Sequence, residues 1–172
     1  MTRLDVSCWN VLRGEATVLS FNNRVSHVVD FGTSTFTVRS DRELIGRAII
    51  GAQHALWDSS QIDAVITHLH YDHYSLIPHV LDGQSLNVVY LPVIPRPAPI
   101  QRMVCLLQAY IATVLLLSGQ LTLDEIKKKT HKCCLIGRGA PIHIDQRYHV
   151  RVLWPPLELP SEIAQKVSRK LE

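Results

Sequence analysis

Charge and cysteine are both scarce in this sequence, and their scarcity excludes several classes of protein. Charged residues make up 19% of the 172 residues and the formal net charge is +3, so the composition does not predict a nucleic-acid-binding protein. Apolar residues make up 47%, which is typical of a globular chain rather than a disordered one. The four cysteines show no C-x-x-C spacing, which favours reduced thiols in a cytoplasmic protein over paired or chelating cysteines.

Long apolar runs are absent as well. The first residues contain no apolar segment of the kind that a secretory signal has. The most apolar stretch, residues 103–117, is shorter than the roughly 20 residues that span a bilayer. We therefore expect no transmembrane segment, a cytoplasmic location and a buried helix over this stretch, with peripheral membrane attachment as the weaker alternative.

Apolar periodicity predicts an α/β fold. Alternating or β-branched runs bounded by turn residues predict strands at residues 4–8, 16–21, 25–31, 62–67, 86–91, 132–136, 142–144 and 149–153. Apolar residues at helical spacing predict helices at residues 40–56, 75–81, 100–117, 123–131 and 161–171. The first of these helices opens with a capping box from Ser40 to Glu43, and Thr122 is the expected N-cap of the fourth.

The whole chain, residues 1–172, is expected to form a single domain, because its length suits one hydrophobic core. Four prolines lie within residues 92–99, which excludes regular structure there and indicates a stiff connection. Residues 92–131 are therefore interpreted as a proline-rich connection followed by a helical insertion. Residues 157–172 are expected to carry a C-terminal helix.

Four side chains that can bind a metal lie close together directly after the predicted strand at residues 62–67. They are His68, His70, Asp72 and His73. Imidazole ligands must lie within about 2.0–2.2 Å of a zinc ion, and residues two apart at the end of a strand project to the same side. Histidine and aspartate are costly to bury unless they are paired or metal-bound. The motif therefore predicts a divalent metal site, the alternative being a loop that is rich in histidine by chance.

This motif resembles the signature of the metallo-β-lactamase fold superfamily, in which a strand leads into Thr-His-x-His-x-Asp-His and then a helix. Residues 30–32 resemble the Asp-x-Gly turn that packs near the metal in that family, and residues 13–16 resemble its N-terminal hairpin. Residues 152–156 resemble a segment of the metallo-hydrolase domain of DNA-uptake competence proteins. The resemblance implies an αββα sandwich.

The resemblance also implies roles for individual residues. His68 and His70 would bind one metal ion, and Asp72 and His73 a second. One or two Zn²⁺ ions are expected, although other divalent metals suit the same ligands. Asp72 would also orient or deprotonate the metal-bound water, whose pKa falls to near 7 on zinc. His143 is the candidate for a later ligand, the alternative being an exposed polar residue in a hairpin, and the spacing of His27 gives it no partner.

The sequence departs from the family pattern in two ways. Tyr74 and Ser75 stand where the family has Gly-Gly, and 172 residues predict an incomplete second half of the sandwich. The leading expectation is a metal-dependent hydrolase, nuclease-like or phosphodiesterase-like, which acts on a phosphodiester or another phosphorylated substrate, either a small molecule or a nucleic acid. A lactam or thioester substrate stays open. The alternative is a non-catalytic metal-binding or assembly module. Either protein would form a homodimer or bind a partner chain that completes the fold.

Overall fold

The computed structural model describes residues 3–22, 24–34, 39–92, 117–137, 140–143 and 149–151. The chain divides into two compact units, the first made of residues 1–92 with 118–135, and the second of residues 93–117 with 136–172. The predicted helix at 161–171 and the proline-rich connection after Pro92 lie outside the described residues, as does nearly all of the predicted helix at 100–117.

The first unit is built on a six-stranded mixed sheet with the order β1-β2-β3-β4-β5-β6. β1, β2 and β3 pair antiparallel, whereas β3, β4 and β5 run parallel. The strands are β1 (Leu4–Cys8), β2 (Ala16–Phe21), β3 (Val25–Phe31), β4 (Gln61–Val65), β5 (Leu86–Pro92) and β6 (Thr130–Ile136). The predicted α/β class is therefore confirmed, and each of these strands overlaps a predicted one.

Three α-helices accompany these strands in the described ranges. α1 is Arg39–Leu56, α2 is Ile77–Leu81 and α3 is Leu117–Lys128; a short 3-10 turn covers Tyr71–His73. α1 begins one residue before Ser40, so Ser40 lies in its first turn and not at the predicted N-cap position. The predicted start of the helix at 123–131 is wrong, because α3 already begins at Leu117 and Thr122 lies inside it. None of the helices described is long and apolar enough to cross a bilayer.

The core lies on one face of the sheet. Val18, Val28, Ala64 and Val89 follow one another in register across β2, β3, β4 and β5, and all four are buried. They belong to one hydrophobic cluster with the apolar residues of α1 and α2, which are Ile45, Ala48, Ala52, Leu56, Ile77, Val80 and Leu81. Because side chains alternate along a strand, the residues next to this row, such as His27, project from the opposite face.

The second unit contains a two-stranded antiparallel sheet. Its strands are β7 (Pro141–His143) and β8 (His149–Arg151), in which His143 is the register partner of His149. Both strands overlap the predicted strands at 142–144 and 149–153.

Candidate metal centre

The histidine motif lies where the chain leaves β4. β3 and β4 are parallel, so their carboxyl ends lie at the same edge of the sheet. The Ile66 backbone N–H donates to the Tyr90 carbonyl at 3.0 Å, which keeps the chain aligned with β5 until the motif begins. Beyond this point His68 and His70 are exposed, while His73 is buried under the same loop. The loop therefore presents side chains at the edge where Asp30, near the end of β3, is also located.

Asp30 fastens the loop to β3. Its Oδ1 accepts a hydrogen bond from the Thr67 backbone N–H at 2.8 Å, and its Oδ2 accepts one from the Thr67 hydroxyl at 2.5 Å. Asp30 is buried and has a backbone φ of 45°, a left-handed conformation that costs a non-glycine residue on the order of 1 kcal/mol. Strain of this kind persists only where surrounding contacts maintain it, and here it directs a carboxylate into the base of the histidine loop.

Two glycines allow three backbone segments to meet beneath the motif. A Cβ on Gly14 would lie 2.0 Å from the carbonyl oxygen of Gly32 and 2.8 Å from that of Asp72, and a Cβ on Gly32 would lie 2.6 Å from the Tyr74 nitrogen. The Glu15 backbone N–H donates to the Asp72 carbonyl at 3.4 Å, and Gly32 N–H donates to the Glu15 carbonyl at 2.9 Å. The backbone of the 3-10 turn is thus held by the β1–β2 connection and by the end of β3.

Three imidazole rings lie side by side on this support. The ring centroids of His68 and His73 are 3.5 Å apart at an interplanar angle of 52°, and those of His68 and His70 are 4.8 Å apart at 74°. His73 Nδ1 lies 3.1 Å from Asp30 Oδ2, which is close enough for an ion pair. The ring N–H is not directed at that oxygen, however, so Nδ1 is a buried nitrogen without a hydrogen-bond partner among the residues described.

The surroundings of His68 favour its neutral form. Desolvation lowers the pKa of His68 even though the residue is exposed, because its neighbours shield part of the ring. The charges that His73 and His70 would carry lower it further, while the carboxylates of Asp30 and Asp72 act in the opposite direction. A neutral imidazole is the form that binds a metal ion.

The donor set fits a divalent cation, but the rings do not yet point at one position. Among the residues that the structure describes, no three His, Cys, Asp or Glu side chains are arranged so that they could hold a metal ion as they stand. The rings of His68 and His73 lie against each other instead, with centroids 3.5 Å apart. His68 and His70 are both exposed, but a rotation of the His68 ring would change its contact with His73 and its 3.1 Å approach to the Thr67 hydroxyl.

The structure places the rings of three predicted ligands, His68, His70 and His73, side by side, while metal binding by any of the five stays a prediction. His68, His70, Asp72 and His73 share one short segment of the first unit, whereas His143 stands on β7 in the second unit, and its part in the site stays a prediction. The sequence indicated the turn at residues 30–32. It did not indicate that Asp30 accepts hydrogen bonds from Thr67. No signal in the spacing alone identifies these bonds, because they join residues 37 positions apart.

No protein-family model matches the chain, and no curated protein matches it. What the structure itself defines is an α/β protein with a mixed six-stranded sheet and a histidine cluster at the carboxyl edge of its parallel strands.

Proposed function

We propose that this protein is a metal-dependent hydrolase of the metallo-β-lactamase fold, acting on a phosphodiester or another phosphorylated substrate. The observation that carries the proposal is the contact of three imidazoles, His68, His70 and His73, above the buried carboxylate of Asp30. A buried histidine nitrogen beside a carboxylate, with two exposed imidazoles next to it, has little structural purpose without a ligand.

His68, His70, Asp72 and His73 would hold one or two Zn²⁺ ions. A bound zinc ion supplies a water molecule whose pKa is lowered to near 7, so that hydroxide is available at neutral pH. Asp72 would be the residue that orients such a water and accepts a proton from it. Asp30 Oδ2 lies 3.1 Å from His73 Nδ1, so a hydrogen bond between them, formed once the ring turns toward the carboxylate, would leave Nε2 as the ligand atom.

The class of substrate comes from the resemblance of the motif to phosphoesterases of this superfamily, which is an argument by analogy. The exposure of His68 and His70 agrees with a site that a bulky substrate reaches from solvent.

Metal content and turnover test the proposal together. The purified chain is loaded with Zn²⁺, dialysed and assayed for metal and for hydrolysis of bis(p-nitrophenyl) phosphate. We expect one or two zinc ions per chain, with both metal and activity lost in His70→Ala and activity lost in Asp72→Ala. His79→Ala is the matched control, because His79 is an exposed histidine of α2 outside the cluster. A chain that binds no zinc, or one whose activity survives both substitutions, would contradict the proposal.

A non-catalytic metal-binding or assembly module is the second candidate. It is favoured by residues 74–77, Tyr-Ser-Leu-Ile, because they lack the Gly-Gly that the resembled family places shortly after this motif, where backbone approaches substrate. In the same assay this module would bind zinc stoichiometrically through His70 without any hydrolysis.

A further inference from the structure

β1 is the end strand of the six-stranded sheet. The backbone N–H and C=O groups of every second β1 residue bond to β2, and those of the residues between them point away from the sheet. The Asn22 N–H donates to the Arg3 carbonyl at 2.9 Å, and the Trp9 N–H donates to the Ala16 carbonyl at 3.0 Å. Odd-numbered residues of β1 therefore bond to β2. Because bonded and outward-facing residues alternate in an antiparallel pair, the N–H and C=O groups of Leu4, Val6 and Cys8 point outward from the edge.

The same three residues also expose their side chains. Leu4 is 52% exposed and Val6 58%, and Cys8 is exposed as well. Val6 pairs with Leu19, which is next to the core residue Val18, so this apolar stripe lies on the face of the sheet that points away from the core. An apolar edge strand is a template for pairing with another chain.

β1 lacks three of the devices that usually prevent such pairing, and its one charged side chain, Asp5, is already paired with Arg3. Natural edge strands are commonly protected by lysine, by proline or by a bulge that twists the edge away. The segment Leu4–Cys8 contains neither lysine nor proline, and its register with β2 is regular from end to end.

We propose that a second copy of this chain pairs with β1 in the antiparallel direction, with a two-fold axis at Val6, so that two sheets join into one. In this register Val6 lies opposite Val6 of the second copy, and Leu4 lies opposite its Cys8. All three outward-facing residues of each strand then exchange backbone hydrogen bonds with the other strand. A register centred on Leu4 would instead carry the pairing past the first residue of the strand.

The strand is complementary to itself in this register, which is why a second copy is the expected occupant. Asp5 lies opposite Ser7 of the second copy rather than opposite another carboxylate. Asp5 is also already paired with Arg3 within the chain, with Arg3 Nε 2.9 Å from Asp5 Oδ2, so the interface brings no uncompensated charge together. Because so short a strand buries much less than a standard interface, we expect a concentration-dependent monomer–dimer equilibrium. This dimer does not depend on the metal proposal.

Sedimentation velocity of the full chain over a range of concentrations, under reducing conditions so that Cys8 does not cross-link, tests the association. We expect a dimer that grows with concentration in the unmodified chain and is lost in Val6→Lys, which would bring two ammonium groups together at the axis. Ile50→Lys is the matched control, because it also replaces an exposed apolar side chain with lysine, here on α1, where Ile50 is 55% exposed. This variant should form the dimer as the unmodified chain does.

Hydrogen exchange of the unmodified chain gives a second measurement that requires no folded variant. The amides of Leu4, Val6 and Cys8 should exchange more slowly as concentration rises, whereas those of Asp5 and Ser7, already bonded to β2, should not change. A monomer at every concentration would overturn the proposal, and so would a dimer that survives Val6→Lys or that forms without protection of these three amides.

Discussion

His27 and Asp63 are register neighbours on the parallel strands β3 and β4, and both are almost completely buried, at 2% and 1% exposure. His27 Nδ1 lies 3.8 Å from Asp63 Oδ2, beyond hydrogen-bond distance, and within the described residues neither ring nitrogen has a hydrogen-bond partner. Asp63 Oδ1 instead accepts hydrogen bonds from Asn87 Nδ2 and the Val88 N–H, both at 3.1 Å. Sequence spacing predicted no partner for His27, and the parallel pairing of β3 and β4 is what places it beside Asp63.

This burial predicts a pH-dependent stability. Desolvation lowers the pKa of His27 below its ordinary value of 6.5, and the negative charge of Asp63 offsets only part of this effect. Below pH 6.5 the unfolded chain binds a proton at His27 that the folded chain does not. The contribution of His27 to the free energy of unfolding is therefore greatest above pH 6.5, and it is lost as the pH decreases toward the folded-state pKa. Urea unfolding from about pH 7 to about pH 5 measures this slope.

The variant His27→Leu should show a smaller loss of stability over the same pH range, because the titrating group is gone. His54→Leu provides the control, since His54 is an exposed histidine of α1. Equal slopes for the two variants would show that His27 is not the group responsible.

Removing the Thr67 hydroxyl should weaken the attachment of the histidine loop. Thr67→Val deletes the hydrogen bond to the buried Asp30 Oδ2 and leaves that carboxylate with less compensation, so we expect a loss of about 1.5 kcal/mol in the free energy of unfolding. Thr67→Ser retains the hydroxyl and should stay close to the unmodified protein. Chemical unfolding of the two variants is the measurement, and an equal loss in both would contradict the assignment of the effect to the hydroxyl.

Gly32→Ala should destabilise the protein by about 3 kcal/mol or more, because the added Cβ meets backbone atoms of Asp72 and Tyr74 that cannot move independently. Gly46→Ala is the matched control within α1, where nothing lies within 4 Å of the added Cβ. That change should raise stability by about 0.5–1 kcal/mol, since alanine favours a helix over glycine. Thermal unfolding of both variants is the measurement, and a mild effect at Gly32 would contradict the close backbone packing.

Zinc should raise the melting temperature if the imidazole cluster binds it. A ligand present at about 100 times its Kd stabilises the folded state by about 2.7 kcal/mol. We expect this shift in the unmodified chain, its reversal by a chelator and its absence in His70→Ala. The shift should diminish in acid, because protons compete for the imidazoles. A chelator-reversible shift that persists in His70→Ala would place the zinc elsewhere in the chain.

Local patterns in the sequence predicted the first half of the fold closely. The bounds of β1, β2 and β3 agree with prediction, because alternating apolar residues and the turn at Asn22 define a hairpin without reference to the rest of the chain. α1 ends at the predicted Leu56. The beginning of α3 was missed, because Gly119 and Thr122 resemble residues that precede a helix, although here both lie within it.

Pairings between distant segments could not be predicted in the same way. Asp30 meets Thr67 and His73, and His27 meets Asp63, only because β3 and β4 pair in parallel with one particular register. Parallel register is set by the whole core and not by the residues that it brings together. The sequence therefore identified the ligand candidates, while the buried carboxylate beneath them required the structure.

The close approach at Gly14 and Gly32 has a consequence for redesign. The backbone of the 3-10 turn is supported by carbonyl and amide groups from two other segments, and the exposed imidazoles of His68 and His70 take no part in that support. The backbone contacts that support this loop and the side chains proposed as metal ligands can therefore be changed independently. If the loop binds a metal as proposed, exchanging the two exposed histidines for softer thiolate or harder carboxylate donors should alter which metal is preferred while the loop keeps its shape.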